Sequence, residues 1–465
     1  MTDLSKIFKF NMGFRNILKN LPEVIGPTEK KLSFNVKLKW TLIILGGFFI
    51  LSNISLYGLA NNALERFEYL AIIMGTSFGS IISLGIGPIV MASIILQLLV
   101  GSKILNIDTS TTEGKRFFQG IQKLLVFFFI LIEAIVYVSM KGLEAVPGYG
   151  FIVIFQLILG GLVILFMDEL CNKWGFGSGV SLFIAAGVGW RLITSAFGFL
   201  GPQGNLQISG KFIVFITSLL NQNPQAAMWA FAAIFSTIVL FLVIVWAQSL
   251  KIEIPLSYNR LRGYGVKWPL QFFYTSVIPV ILTAALIANL QLFGGIAQNW
   301  IGHPTILGNI VNGHAESGFL YWISSTNIVE RIIQGSWEWK LLIQTIGHIL
   351  FFVIFTAIFS LFWVKTSGMD ASNQAQKILQ SGLQIPGFRK DERILQSILS
   401  RYILPLTIMG GIAIGFLAAL ANVLGTLVGG TALLLGIMIA FQFYQNIAQQ
   451  HAMDMNPSLR KVMGV

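Results

Sequence analysis

Residues 81–100 read IISLGIGPIVMASIILQLLV, twenty residues without a single charge. A membrane's hydrocarbon core takes about 20 apolar residues of helix to cross, so this run reads as a membrane span. Its opening, Gly85-Ile86-Gly87-Pro88-Ile89-Val90, is unusual. Pro88 removes a backbone donor and the glycines remove side-chain bulk, so the start is bent or closely approached by a neighbour. Ile86 and Val90 are four apart and share a helix face.

Working outward from this run, comparable spans fall at roughly 40–60, 118–140, 150–170, 180–200, 228–250, 270–294, 341–364, 402–424 and 429–449, giving ten in all. The stretch 211–220 (KFIVFITSLL) is too short to cross and reads as interfacial. Composition agrees. A soluble domain carries about a quarter charged residues, whereas here 11% are charged, 55% are hydrophobic and mean hydropathy is +0.76. A chain of 465 residues could not hide that much apolar surface in one water-soluble core, so lipid must cover the rest. Residues 1–39 are mixed polar and basic, without the apolar run of a cleavable signal peptide.

Ten spans put both termini on one side, and the basic residues sort accordingly. The N-terminal segment, the even-numbered loops and the tail hold 25 of the 31 lysines and arginines. The positive-inside rule then predicts a multi-pass cell-membrane protein with both termini in the cytoplasm. A different number of spans would scramble this asymmetry. The net charge of +12 is therefore first a topology signal.

Chemistry-bearing residues are few. Cys171 is the only cysteine, and His303, His314, His348 and His451 lack metal-ligand spacing, so no metal or cofactor is expected. No Ser/His/Asp or phosphate-loop arrangement appears, which leaves an enzyme without support. Glu133 is the only acidic residue deep inside a span, whereas an ion-driven transporter usually keeps several.

Other spans carry Gly/Pro features like the second. The fifth begins Gly177-Ser178-Gly179-Val180, with Ile184 one turn on. The seventh has Ile278-Pro279-Val280-Ile281, and the tenth opens Gly429-Gly430-Thr431 before Leu433, Leu434 and Leu435. On spacing alone these are kinks and packing surfaces. Gly411 and Gly415 on the ninth span permit close helix approach. Residues 68–79 (EYLAIIMGTSFG) read either as an interfacial helix or as a re-entrant segment. Loops 6/7 and 8/9 are long for membrane connections, with turn-borne basic runs at Arg260–Arg262 and Arg389–Lys390. Such arginines either set topology or meet phosphate-rich partners.

Taken in order, LKWTLIIL, SLGIGPIVMASIILQLLVGSKI, FFQGIQKLL, DELCNKWGFGSGVSLFIAAGV, KIEIPLSYNRLRG, SVIPVILTAALIANLQLF, GFRKDERILQSILSRYI and GFLAALANVLG-x-x-x-GGTALLL resemble the SecY family, its archaeal branch above all. The resemblance runs from about residue 20 to 450. It implies an all-α integral membrane protein, with ten transmembrane helices in two inverted pseudo-symmetric halves around a central pore. The halves would be residues 40–210 and 211–450, after a basic segment 1–39 and before a tail 451–465. Cytoplasmic loops would span 251–269 and 365–401.

By the same resemblance Ile86, Val90, Val180, Ile184, Ile281 and Leu435 (Leu434 being the alternative) form the pore ring. Glu68, Tyr69, Leu70, Ala71, Ile72, Ile73, Met74, Gly75 and Thr76 form the plug. Ser83, Met91, Glu133 and Asn289 sit at the lateral gate, where methionine replaces an expected threonine. Arg260, Arg262, Arg389 and Lys390 would meet the ribosomal RNA of a bound ribosome, in salt-sensitive contacts. The implied partners are a SecE-type and a small beta-type single-span subunit, signal sequences, nascent polypeptides and membrane lipid.

The implied function is a passive route for unfolded secretory polypeptides, driven by the ribosome, with hydrophobic segments released sideways into lipid. The rival is an ion-coupled secondary transporter of a small solute, which would need a polar, occluded site at mid-membrane. A structural scaffold, the third class, would translocate nothing.

Overall fold

The computed structural model describes residues 20–29, 32–62, 76–101, 104–105, 107, 111–199, 210–258, 265–275, 277–303, 305, 308–311, 314–380, 383–384 and 391–455. In chain order these form α1 (Phe34–Ser52), β1 (Leu59–Asn62), α2 (Gly87–Gly101), α3 (Thr112–Ser139), β2 (Leu143–Ala145), α4 (Gly150–Trp174), α5 (Gly179–Phe197), α6 (Lys211–Leu220), α7 (Pro224–Ser249), β3 (Lys251–Tyr258), β4 (Gly265–Gln271), α8 (Ile278–Ile301), β5 (Ile310–Val311), β6 (His314–Ala315), α9 (Phe319–Ile323), α10 (Ile328–Ile333), α11 (Trp339–Thr366), α12 (Ala371–Gln380), β7 (Leu383–Gln384), α13 (Glu392–Leu424) and α14 (Gly430–Met455). Helices dominate, and the short strands are confined to connections.

Among the described residues nine helices are long and apolar enough to cross a membrane: α1, α3, α4, α5, α7, α8, α11, α13 and α14. The second expected span differs in form. Its helix begins only at Gly87 and has 15 residues, about 22 Å at 1.5 Å per residue. Residues 81–86 lead into it as successive turns. Pro88 explains the boundary, because proline is tolerated in a helix only at its first turn. Gly85 adds a left-handed backbone, φ +52°.

Irregular backbone at membrane depth survives only when protein surrounds it and its polar groups are paired. Both conditions hold. The Ile81 N–H donates to Ile54 O (2.9 Å), Ser83 to Ser80 O (3.0 Å), Gly85 to Ile82 O (2.8 Å) and Gly87 to Leu84 O (3.2 Å). Ile82, Leu84 and Ile86 are buried. On α4, Gly160 lies so close to the Ile81 carbonyl that a Cβ there would overlap it.

One contiguous core runs through the spanning helices, with α8 buried along most of its length. The α11–α13 contact uses the glycines read from sequence. A Cβ on Gly411 would meet Ser360 Oγ at 2.5 Å, and one on Gly415 would meet Phe352 O at 2.9 Å. Between α8 and α11, Thr283 Oγ1 lies 3.1 Å from Thr356 Oγ1, and just before α8 Thr275 Oγ1 lies 3.4 Å from Ser360 Oγ of α11, all buried.

A second, smaller core sits at one end of the bundle. Ile254, Leu270, Tyr274, Ile378, Leu395 and Leu399 belong to it. β3 pairs antiparallel with β4 from Lys251↔Gln271 to Ser257↔Gly265. β7 joins the far end of β3 through Ser257↔Gln384 and Tyr258↔Leu383. Loops 6/7 and 8/9, separate in sequence, thus share one sheet. The 33-residue α13 is about 50 Å long against a hydrocarbon thickness of about 30 Å, so its first turns pack in this outer core.

Candidate functional site

The expected ring positions come from four helices that pack together in the main core. Contacts join α5 to α14, α2 to α8 and α8 to α14. Ile86, Val90, Ile184, Ile281, Leu434 and Leu435 are all buried members of that core, and half-buried Val180 packs against it. Ile86 stands one residue before α2, yet its carbonyl accepts the Val90 N–H at 3.0 Å, so the pair keeps its one-turn relation. Pro279 does not kink α8; it lies in the first turn, where its missing N–H has no partner to lose. Ile281 follows directly, its N–H bonded to Val277 O at 3.1 Å.

Such a cluster is chemically inert but physically effective. Branched aliphatic side chains offer a moving polypeptide no fixed hydrogen bonds. Wetting the cluster would expose side chains worth about 2 kcal/mol each, so an apolar constriction resists water and ions when nothing fills it.

Two starts of helices bring these side chains to their places. Asp168, near the end of α4, accepts the Val180 N–H at 2.9 Å through Oδ1. Asn422, near the end of α13, accepts the Thr431 N–H at 2.7 Å through its own Oδ1. Each occupies a donor that a helix's first turn leaves open. Sequence reading passed over both, and it left His348 among the scattered histidines. A polar residue near the end of one span, followed by glycines opening the next, is the signal that could have found them.

The residues expected at a lateral gate are not assembled into a hydrogen-bonded cluster. Ser83 accepts the Gly79 N–H (2.8 Å) and donates to Ser80 O (2.5 Å), serving its own turn. Met91 packs against the main core. Asn289 Nδ2 donates to Ala285 O on its own helix (2.8 Å), while its Oδ1 has no partner. Glu133 is 1% exposed and both its carboxyl oxygens lack a hydrogen bond, as do Tyr137 Oη and Gln97 Oε1. Unpartnered buried polar atoms are costly, and within a membrane they mark functional positions.

Of the plug positions, Glu68–Gly75 lie outside the described residues; Thr76 donates from Oγ1 to Ile82 O at 2.5 Å. Arg260, Arg262, Arg389 and Lys390 also lie outside them. The described strands show only that the loops bearing them meet in one sheet, with Tyr274 Oη tying it to Met369 O at 2.6 Å. Among the described residues no group of three or more His, Cys, Asp or Glu could hold a metal.

At another edge, residues 20–29 fasten to the end of α4. Lys173 pairs with Glu23, Glu169 accepts the Val24 N–H (3.0 Å), and Trp174 Nε1 donates to Ile25 O (2.9 Å). The Lys173 hydrogen bond holds the Glu23 carboxyl below its ordinary range.

A family profile described as SecY matches residues 80–444. The protein translocase subunit SecY of Methanothermobacter thermautotrophicus is 41% identical over 457 residues, covering 97% of this chain and 98% of that one. A solved structure of SecY, described in terms of a plug domain that stabilises the closed translocation channel and maintains a membrane seal, superimposes with a TM-score of 0.81 at 37% identity, covering 95% of this chain and 98% of the other. The Sec61 chain of a canine ribosome-channel complex from the endoplasmic reticulum gives 0.79 at 35% identity, with the same coverage.

Proposed function

The chain belongs to the SecY family, and on that premise we propose a working scheme for its channel. It is the central subunit of a protein-conducting channel in a membrane. Ile86, Val90, Val180, Ile184, Ile281 and Leu435, or Leu434, form the resting seal. The single observation that carries this is their convergence, from four helices, in one apolar core. The seal would part around a translocating chain and close behind it, since nothing in it binds polar backbone.

Around the seal, residues 68–76 serve as the plug. The halves 40–210 and 211–450 separate at a lateral gate between α2/α3 and α8/α11, where signal sequences pass into lipid. Support comes from the unpartnered Glu133 and Asn289 oxygens, groups that an incoming segment or water could satisfy. Both termini and the β3–β4–β7 sheet face the cytoplasm, supported by the one-sided basic charge. Arg260, Arg262, Arg389 and Lys390 then meet ribosomal RNA, a role supported by the ribosome-bound Sec61 relative. A SecE-type helix and a beta-type subunit complete the assembly, and the ribosome supplies the push. No observation favours the small-solute transporter, and the relatives reported are translocase and channel subunits.

The test is a stalled nascent chain crosslinked to a cysteine introduced as Ile86→Cys; the sole native cysteine, Cys171, is buried. Crosslinking only when a secretory chain is engaged is the expected result. Its absence rejects the ring. In planar bilayers, replacing Ile86, Val90 and Ile184 with glycine raises resting ion conductance if the seal is as described.

A further inference from the structure

The seal's tenth-helix leucine does not hold its own position. Leu434 and Leu435 lie three and four residues beyond Thr431, on the same side of α14. Thr431 is fixed by a chain of directional bonds that begins and ends on backbone. Its N–H can only donate, so Asn422 Oδ1 is the acceptor and the Asn422 amide nitrogen is a donor. That nitrogen reaches Thr431 Oγ1 at 2.6 Å and His348 Nε2 at 3.1 Å. His348 Nε2 must therefore accept, and its Nδ1–H donates to the Ile323 carbonyl at 2.7 Å. His348 is buried on α11, and Ile323, also buried, closes α9. Four elements (α9, α11, α13 and α14) thus meet in one polar chain inside an apolar core.

The local backbone leaves little slack. A Cβ on Gly430 would overlap the Ala421 backbone, so the start of α14 lies directly on the end of α13. The Leu427 N–H donates to Thr237 Oγ1 of α7 at 3.0 Å, bracing the turn from the other side.

We infer that Asn422 and His348 are positioning residues for the resting seal: through Thr431 they set the depth and rotation of α14, and so where its leucine closes the pore. The inference rests on the ring reading. Neither residue touches a translocating chain in this scheme; both act through Thr431.

Resting conductance of the purified full channel in planar bilayers provides the test, with the thermal midpoint of each variant measured alongside. Asn422→Ala and His348→Leu should each raise resting conductance several-fold. The double variant should leak no more than the leakier single one, because the two remove one chain. His348→Gln should stay near wild type, since an amide, like a neutral imidazole, offers one acceptor and one donor. Gln344→Leu, which removes a bond from α11 to the Ser324 carbonyl after α9 (3.3 Å) without touching Asn422 or Thr431, is the control and should not leak.

Folded Asn422→Ala with wild-type conductance overturns the inference. So does leak in Gln344→Leu at a matched thermal midpoint, or leak in His348→Gln equal to that of His348→Leu; either reports general destabilisation. If Asn422→Ala fails to fold, the two His348 variants decide. If the Ile86/Val90/Ile184 glycine triple leaks while the clamp variants do not, this inference alone fails. If the triple does not leak either, the ring reading falls and takes the clamp with it.

Discussion

The start of α5 and the start of α14 solve one problem with different chemistry. Each carries side chains of the proposed seal, and each is capped from the end of the preceding spanning helix, by Asp168 on α4 and by Asn422 on α13. Each has a glycine at the point of contact: a Cβ on Gly179 would lie 2.6 Å from Asp168 Cα, and one on Gly430 would overlap Ala421. A carboxylate only accepts, so Asp168, which takes bonds from the Val180 and Gly179 N–H groups and the Asn172 side chain, passes none onward. An amide accepts and donates, so Asn422 continues to His348 and α9. The half containing α8, α11 and α13 is further cross-braced by Thr283–Thr356, Thr275–Ser360 and Gln291–Ser324. Its partner half uses Gln122–Ser93 and Lys123–Glu169. All the side-chain bonds named here lie within one half. On α3, by contrast, the buried Glu133 carboxyl has no hydrogen-bond partner.

The two helix starts respond differently to substitution. Gly430→Val should be the most damaging change, about 3 kcal/mol or more, because backbone rather than a movable side chain blocks the added atoms. Denaturant titration of the purified protein measures it, and a loss below that of Gly179→Val would contradict the closer contact at α14. Asn422→Ala should cost about 2 kcal/mol, since it strands a donor on Thr431 and an acceptor on His348. Asp168→Ala should cost about 1 kcal/mol, the ordinary worth of a lost cap, and Asp168→Asn less still. Equal losses for the two alanine variants would erase the distinction between an isolated and a networked cap.

Glu133→Leu should move stability the other way, stabilising the fold by about 1 kcal/mol by removing oxygens that have no partner. A lower thermal midpoint would mean that the carboxyl is satisfied after all. The smallest effect is at the periphery. The Glu23 carboxyl is held below its ordinary range of 4.5 by Lys173, so the contribution of this clasp is present above the unfolded value and is lost as pH falls through the lowered one. The protection factor at the Val24 amide, its exchange rate divided into the intrinsic rate at each pH, should fall over that acidic window and stay flat from pH 6 to 8.

Much of this was legible in the chain. Apolar runs of membrane length marked the helices, and the ordered motifs pointed to the family that the comparisons show. The α11–α13 packing at Gly411 and Gly415 was readable because small residues at helical spacing allow only close approach. Less legible was the second span. Its apolar run is continuous in sequence, but only 15 residues are helical, because Pro88 confines the helix start. The loop sheet was also hidden, since the pairing of Tyr258 with Leu383 joins residues more than a hundred positions apart.

The sequence by itself determined that this is a multi-pass helical membrane protein and which family it belongs to. Hydropathy and charge act one residue at a time and need no partner to be read. The tertiary structure alone decided which polar groups are satisfied. Asn422, His348 and Asp168 are unremarkable in a linear chain, and Glu133 looks no different from a paired carboxylate. A hydrogen bond between distant helices depends on two positions at once, and only the folded chain brings them within 3 Å.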